Sequence, residues 1–279
     1  MSIVSLVATG RGAEYKWALN ELLRPFAEMF APAPYSLLIY VGAIYPAGPE
    51  LGVNPHPALV AALAEWAYEA GVANIGLVAA AADGFEFSQS WQLAGYGALK
   101  GYGADVLDMA DAPRSSRLSS LGLNCREFLL PKPLLQADYL INLSKFRVAE
   151  GRMFGSALNN LAAMADMPRA EEAFPRALVD LYSVITPDLH IADALRGQGG
   201  WQPQTQDGLL AATDAVALDM TLATLAGLDG SRMEEIALAA QYGLGSAGAA
   251  DISLTGDAAA LFGAGQGKNK PATSKNKGR

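Results

Sequence analysis

The chain has 279 residues, of which 51 % are hydrophobic and 17 % are charged, so it can form a large packed core and is not of the disordered class. Its formal net charge of -8 argues against a general nucleic-acid binder, which needs a basic face. The single cysteine, Cys125, excludes an intrachain disulfide and any zinc or iron–sulfur site built from thiolates of this chain alone.

Three sequence features predict where the protein is found and which part of it is disordered: the first residues, the length of the apolar runs and the charge of the last residues. The first residues lack a basic region followed by a long apolar segment, which argues against a signal peptide. Apolar runs such as residues 76–82 are far shorter than the roughly 20 residues of a membrane span. Residues 267–279 carry five basic residues and no acidic one, which predicts a basic disordered tail. We therefore expect a cytoplasmic protein with no membrane span.

Short apolar runs alternate with helical spacing through residues 1–266. The runs predict strands at 3–8, 35–41, 74–80, 105–108, 139–143, 189–193, 208–212 and 251–255. Helical spacing predicts helices at 14–30, 57–71, 90–101, 215–225 and 234–242. This alternation favours a single α/β domain over residues 1–266, with a mostly parallel sheet and helices on both faces. Residues 110–133 are less regular and predict a short irregular or antiparallel excursion.

Several segments, taken in order, resemble the domain-of-unknown-function family number 362 (DUF362). The resemblance spans roughly residues 3–257 and is carried by the order of short motifs. These motifs are HPALVAALAEWAYEAGVANIGLV, QLAGYGALKGYGADVLDM, LPKPLLQADYLINLSKFR, FGSALNNLAAM, LHIADALRGQGGWQP, GLLAATDAVALDMTLATLAGLD and QYGLGS.

The chain departs from this family at four points. The family's Lys-Pro-Asn turn after the second strand is replaced by YVGAIYP at residues 40–46. Its Lys-x-Lys-x-His motif becomes Lys145-Phe146-Arg147 without a histidine, and its Lys-Asn pair becomes Asn159-Asn160. Many members carry cysteine-rich iron–sulfur inserts, which this chain lacks. The resemblance therefore implies no iron–sulfur cluster held by this chain alone, and the cofactor stays unidentified.

A cluster of positive charge follows the strand predicted at 139–143. Lys145 and Arg147 come just after it, and Gly155-Ser156 then begins a helix. Ligands of parallel α/β sheets bind beyond the carboxyl ends of strands, and free N–H groups at a helix start favour an anion. We predict a phosphate or carboxylate site here, to which the resemblance at Lys145 adds weight. The alternative is that these cations pair with surface acids such as Glu150.

Three aspartates are further candidates. Asp193 ends a predicted strand and precedes a loop with Gly197, Gly199 and Gly200, whose backbone can approach a ligand closely. Asp219 lies inside an apolar helix, where a carboxylate must be exposed, paired or functional. Asp214 either caps that helix or contacts a ligand. The alternative for Asp193 is that its side chain caps the turn after the strand.

The two histidines give weaker signals. His56 precedes Pro57 at a predicted helix start, near the expected strand ends. His190 lies inside a predicted strand, where a core or edge histidine is the simpler interpretation. No spacing signature supports a two-histidine metal site, and the glycines at 197–200 do not form a dinucleotide fingerprint. No metal ligand is therefore assigned.

Together these residues predict one crevice at the carboxyl ends of the strands, in which Lys145, Asp193 and Asp219 converge. The first hypothesis is an enzyme on a small anionic metabolite, with those three residues catalytic and with Asp193 or Asp219 as an acid/base group or a metal ligand. The second is a non-catalytic binding or accessory protein that retains the crevice. A homo-oligomer or a redox-protein partner is left open. The residues predicted to bind the ligand are Arg147, Asn160, Asp214, Gly199 and Gly200.

Overall fold

The structure is a computed structural model of the chain. It describes residues 1–9, 14–102, 105–149, 152–153, 155–165, 167, 172–195 and 207–262. The predicted basic tail, residues 267–279, lies outside this range, so its disorder stays a prediction.

The described residues alternate between strands and helices, as the sequence pattern predicts. The strands are β1 Ser2–Ala8, β2 Ser36–Ile44, β3 Asn74–Ala81, β4 Asp105–Asp108, β5 Arg114–Leu118, β6 Glu127–Pro131, β7 Tyr139–Lys145, β8 Val148–Ala149, β9 Arg152–Met153, β10 Leu189–Asp193, β11 Gly208–Ala212 and β12 Ile252–Gly256. The α-helices are α1 Tyr15–Leu23, α2 Pro57–Glu69, α3 Phe87–Leu93, α4 Lys132–Gln136, α5 Ala157–Asn160, α6 Phe174–Tyr182, α7 Ala215–Leu225, α8 Glu234–Gln241 and α9 Ala258–Phe262.

Eight strands form one sheet in the order β12-β1-β11-β10-β7-β2-β3-β4. β11 runs antiparallel to β1 and β10, and the other neighbouring pairs are parallel. Every residue of β7, β10 and β11 is buried, as expected for strands covered on both faces. The predicted α/β fold with a mostly parallel sheet is confirmed.

Helices cover both faces of the sheet and form two separate cores. One core packs α1, α2 and α3 against side chains such as Ile39 of β2 and Leu143 of β7. The other packs α5, α6, α7 and α8 against the opposite face, which includes Tyr40 of β2. Because side chains alternate along a strand, neighbouring residues of β2 and β7 contribute to different cores.

The irregular segment predicted at 110–133 contains an antiparallel pair, β5 with β6. Two predicted helices are shorter than expected. The helix at 14–30 changes to a 3-10 helix at Arg24–Phe30, where Pro25 removes a backbone donor. The helix at 90–101 is interrupted at Gly95, whose φ is 85°, before a 3-10 helix at Tyr96–Tyr102. Among the helices described, none combines the length and hydrophobicity that crossing a membrane requires.

Candidate functional site

The chain changes direction across the sheet between β2 and β7. From β2 the path runs outward through α2 to β3, and from β7 it runs the other way through α5 and α6 to β10. The two crossovers cover opposite faces, so a crevice opens where the carboxyl ends of β2 and β7 lie side by side. This is the position at which open α/β sheets bind ligands.

A small cavity occupies this crevice. Its volume is about 10 Å³, close to the space that one water molecule needs. Its walls combine apolar residues of β2 and the following loop with polar residues of β7 and the segment after it. The lining residues are Val41, Ala43, Val53, Pro55, Lys145, Arg147, Gly155 and Asn160. The structure thus brings together three of the predicted site residues: Lys145, Arg147 and Asn160.

Two glycines create the space in which these side chains meet. Gly42 has a φ of 81°, lies at a register shift in β2, and would carry a Cβ into the Asn160 carboxamide if it were any other residue. Gly155 similarly packs against the Lys145 carbonyl, where a Cβ would collide with the oxygen. The predicted site did not include Gly42, although a glycine near the end of a strand is a sequence signal for a bulge.

Lys145 and Asp193 form a buried ion pair beside the crevice. The two residues are register partners at the ends of β7 and β10. Lys145 Nζ donates to Asp193 Oδ1 at 2.9 Å and to the Leu195 carbonyl at 2.6 Å. The Asp193 carboxylate also accepts the N–H groups of Leu195 at 3.0 Å and His56 at 2.9 Å. Within the described chain, one of the three Lys145 N–H bonds is left for a further acceptor.

Arg147 also lines the cavity, and its guanidinium lies over an aromatic ring. Its guanidinium carbon is 5.1 Å from the centroid of the Tyr45 ring. Such stacking orients the planar fork of an arginine while leaving its edge able to contact a phosphate or carboxylate. Arg147 thus brings a planar set of donors to the crevice, and the charge of Lys145 is balanced by Asp193. Glu150, the alternative partner for these cations, lies outside the described residues.

His56 and Tyr15 belong to the same region but were not among the predicted site residues. His56 Nδ1 accepts the Ala58 N–H at 3.2 Å, so a neutral ring carries its proton on Nε2. The pKa of His56 lies below its ordinary value, mainly because of burial. The Asp193 charge opposes this shift and the Lys145 charge adds to it. Tyr15 packs on the His56 ring with centroids 5.6 Å apart, and burial together with Asp193 and Asp207 raises its pKa to about 12. These contacts come from tertiary packing, which residue spacing does not reveal.

The predicted convergence of Asp219 with Lys145 is wrong. Asp219 is fully buried in α7, within the core on the opposite face of the sheet from the Lys145–Asp193 pair. Its carboxylate accepts the Ala157 N–H at 2.7 Å and the Leu158 N–H at 3.0 Å. The first N–H groups of α5, which the sequence offered as an anion site, are therefore taken by a carboxylate of the chain itself.

Asp214 and His190 also lie away from the crevice. Asp214 caps α7, accepting the Ala217 N–H at 2.9 Å, and accepts the Ser2 hydroxyl and the Ser246 N–H as well. His190 is fully buried in β10, where its Nδ1 lies 3.0 Å from Asn142 Nδ2. Burial lowers the pKa of His190 to about 3. Asp214 thus acts as a helix cap and His190 as a core residue, which are the simpler of the alternatives that the sequence left open.

Gly197, Gly199 and Gly200 lie outside the described residues, so their predicted contribution stays a prediction. Within the described ranges, no three His, Cys, Asp or Glu side chains come together to hold a metal ion.

A larger recess of about 400 Å³ lies at the edge of the sheet, beside β12 and α7. Its described walls are apolar side chains and two threonines, Thr221 and Thr224. Both hydroxyls donate to carbonyls of their own helix, at 2.8 and 2.9 Å. The described lining of this recess therefore carries no charged side chain that would recognise an anion.

Two solved structures share part of the chain path. The lactate racemase apoprotein from Thermoanaerobacterium thermosaccharolyticum has 12 % identity and a TM-score of 0.44, covering 77 % of this chain and 55 % of that one. A Thermotoga maritima protein has 7 % identity and a TM-score of 0.41, covering 80 % and 59 %. This chain thus spans less than two thirds of either protein. No curated protein matches the sequence.

The family comparison covers the whole candidate site. The model of the family described as "Domain of unknown function (DUF362)" matches residues 41–224, which is more than half of the 279 residues. That range begins at Val41 in β2, ends at Thr224 in α7, and includes the crevice and the Lys145–Asp193 pair. The chain belongs to the DUF362 family.

Proposed function

We propose that this protein binds a small anionic metabolite, bearing a phosphate or carboxylate, at the crevice between the carboxyl ends of β2 and β7. The observation that carries the proposal is the lining of this cavity by Lys145 and Arg147 at the switch point of the sheet. Lysine and arginine are the side chains that recognise such anions in proteins.

The two cations would contribute differently. Arg147 would supply a planar pair of donors, oriented by the Tyr45 ring. Lys145 would donate one further hydrogen bond, because Asp193 and Leu195 accept its other two. The cavity has room for about one water molecule, so a ligand would either place a single oxygen in it or require its walls to move.

The buried ion pair favours ligand binding without catalysis over an enzymatic role. Asp193 accepts three hydrogen bonds and Lys145 donates two, so both groups are already engaged. A catalytic base must reach a reacting atom, and Asp193 cannot do so without breaking these bonds, whereas Lys145 keeps one N–H bond for a ligand. A catalytic role for Asp193 would therefore require the pair to open when substrate binds.

Thermal unfolding with added anions tests the binding proposal. A ligand that binds the folded state raises the midpoint, so inorganic phosphate, glycerol phosphate and acetate should do so above a chloride control of equal ionic strength. Arg147→Gln should abolish the rise. Arg176→Gln removes an exposed arginine that pairs with Glu234 at 2.9 Å, and it should leave the rise unchanged. Equal shifts in both variants, or none in the wild type, would reject an anion site at the crevice.

A further inference from the structure

A carboxylate on one face of the sheet is connected to the crevice through the short helix α5. Asp219 is fully buried, and its two oxygens accept the first two N–H groups of that helix, those of Ala157 and Leu158. Ser156 accepts the next one, from Asn159, at 3.3 Å. The beginning of α5 is therefore held by side chains at three consecutive N–H groups.

The same helix supplies a wall of the cavity. Asn160, its last residue, donates through Nδ2 to Asn142 Oδ1 at 2.7 Å and to the Leu143 carbonyl at 3.3 Å. The Tyr40 hydroxyl donates to the Asn160 carbonyl at 2.7 Å. Gly155, just before the helix, packs against the Lys145 carbonyl. Two cavity residues thus lie within five positions of the bonds to Asp219.

We propose that Asp219 is a positioning residue for the anion crevice, which fixes Asn160 and Gly155 by holding the beginning of α5 on the face of the sheet that α5 and α7 share. It acts without touching the ligand. An aspartate suits this task because its carboxyl group places one oxygen at each N–H group, whereas an asparagine in its place offers one oxygen. The binding consequence of this inference rests on the proposed function, but the placement of α5 can be measured without a ligand.

The test compares Asp219→Asn with Asp180→Asn in the full chain. Asp180 is a matched control because it is also fully buried and accepts backbone N–H groups, from Leu123, Asn124 and Cys125 at 2.8 to 2.9 Å. Those residues lie between β5 and β6 and do not line the crevice. Both variants lose one acceptor of the same kind, so a general loss of stability appears in both.

Two measurements are made on each variant. The first is nitrogen-15 NMR of the Asn160 side-chain amide together with hydrogen exchange at Ala157 and Leu158. The second is a titration with inorganic phosphate. In Asp219→Asn the Asn160 signal should move, exchange should accelerate, and phosphate affinity should fall about tenfold, the equivalent of one lost hydrogen bond. Asp180→Asn should leave all three near the wild type.

Each other outcome has a defined meaning. An unmoved Asn160 signal in Asp219→Asn, or equal changes in both variants, would overturn the positioning role. If wild type fails to bind phosphate, the proposed function fails, while the Asn160 signal and the exchange rates still decide this inference. If Asp219→Asn does not fold, Ser156→Ala loosens the same helix end and should move the Asn160 signal in the same direction by a smaller amount. An unmoved signal in Ser156→Ala would again overturn it.

Discussion

Lys145 Nζ lies 2.9 Å from Asp193 Oδ1, and the exposed fractions of these two side chains are 5 % and 0 %. The pair joins β7 to β10 immediately beside the crevice. Removing one partner from a buried pair leaves an uncompensated charge, whereas replacing both by apolar residues of similar size removes the problem.

We therefore expect Lys145→Met and Asp193→Leu each to lower the free energy of unfolding by about 3–5 kcal/mol. The double variant should lose less than the sum of the two single losses, because no buried charge remains, although the N–H groups of His56 and Leu195 still lose their acceptor. Urea denaturation of the four proteins in a double-mutant cycle measures this coupling. Additive losses in the double variant would show that the pair does not act as a unit.

Gly42 should tolerate substitution less well than another glycine with the same backbone conformation. Gly84 has a φ of 82° with open space around its Cα, so Gly84→Ala should cost about 1–2 kcal/mol for the left-handed conformation alone. Gly42 has a φ of 81°, and its new Cβ would also meet the Asn160 carboxamide. Gly42→Ala should therefore cost about 1–3 kcal/mol more than the control. Equal losses in urea denaturation would mean that Asn160 moves aside freely.

Asp219 should make stability depend on pH. Burial raises its pKa to about 7, whereas an unfolded aspartate titrates near a pKa of roughly 3.9. Between these values the folded state holds a proton that the unfolded state has lost, so the free energy of unfolding falls as pH rises, by up to about 1.4 kcal/mol per pH unit. The stability difference, wild type minus Asp219→Asn, should accordingly decrease from pH 4 to pH 7, roughly the interval between the two pKa values. Denaturation curves that keep a constant difference across this range would contradict the raised pKa.

His190 should have the opposite effect. Burial lowers its pKa to about 3, against roughly 6.5 in the unfolded chain. Between these values the unfolded state binds a proton that the folded state does not, so the free energy of unfolding falls as pH falls. His190→Gln should remove this loss, and the advantage of wild type over the variant should shrink below a pH of about 6.5. Denaturation series at several pH values measure it, and a difference independent of pH would exclude a buried neutral histidine.

Much of the fold could be predicted because its signals are local. Continuous apolar runs such as residues 189–193 mark strands buried on both faces, and Pro57 marks the start of α2. The cluster of Lys145 and Arg147 after β7 was also readable, since the carboxyl end of a strand in a parallel sheet is a known ligand position.

The partners of individual charges could not be predicted in the same way. The face of the sheet on which a buried carboxylate lies depends on which face its helix covers. Local sequence patterns do not predict that face. Asp193 and Asp219 looked alike as aspartates in apolar segments, yet Asp193 pairs with Lys145 and Asp219 binds the beginning of α5 on the opposite face. Local sequence patterns were enough to predict the eight strands of the large sheet, five of the described helices and the cations at the end of β7. The pairing of Asp193 with Lys145 depended on tertiary packing, because a buried charge requires a partner and the arrangement of the strands selects it.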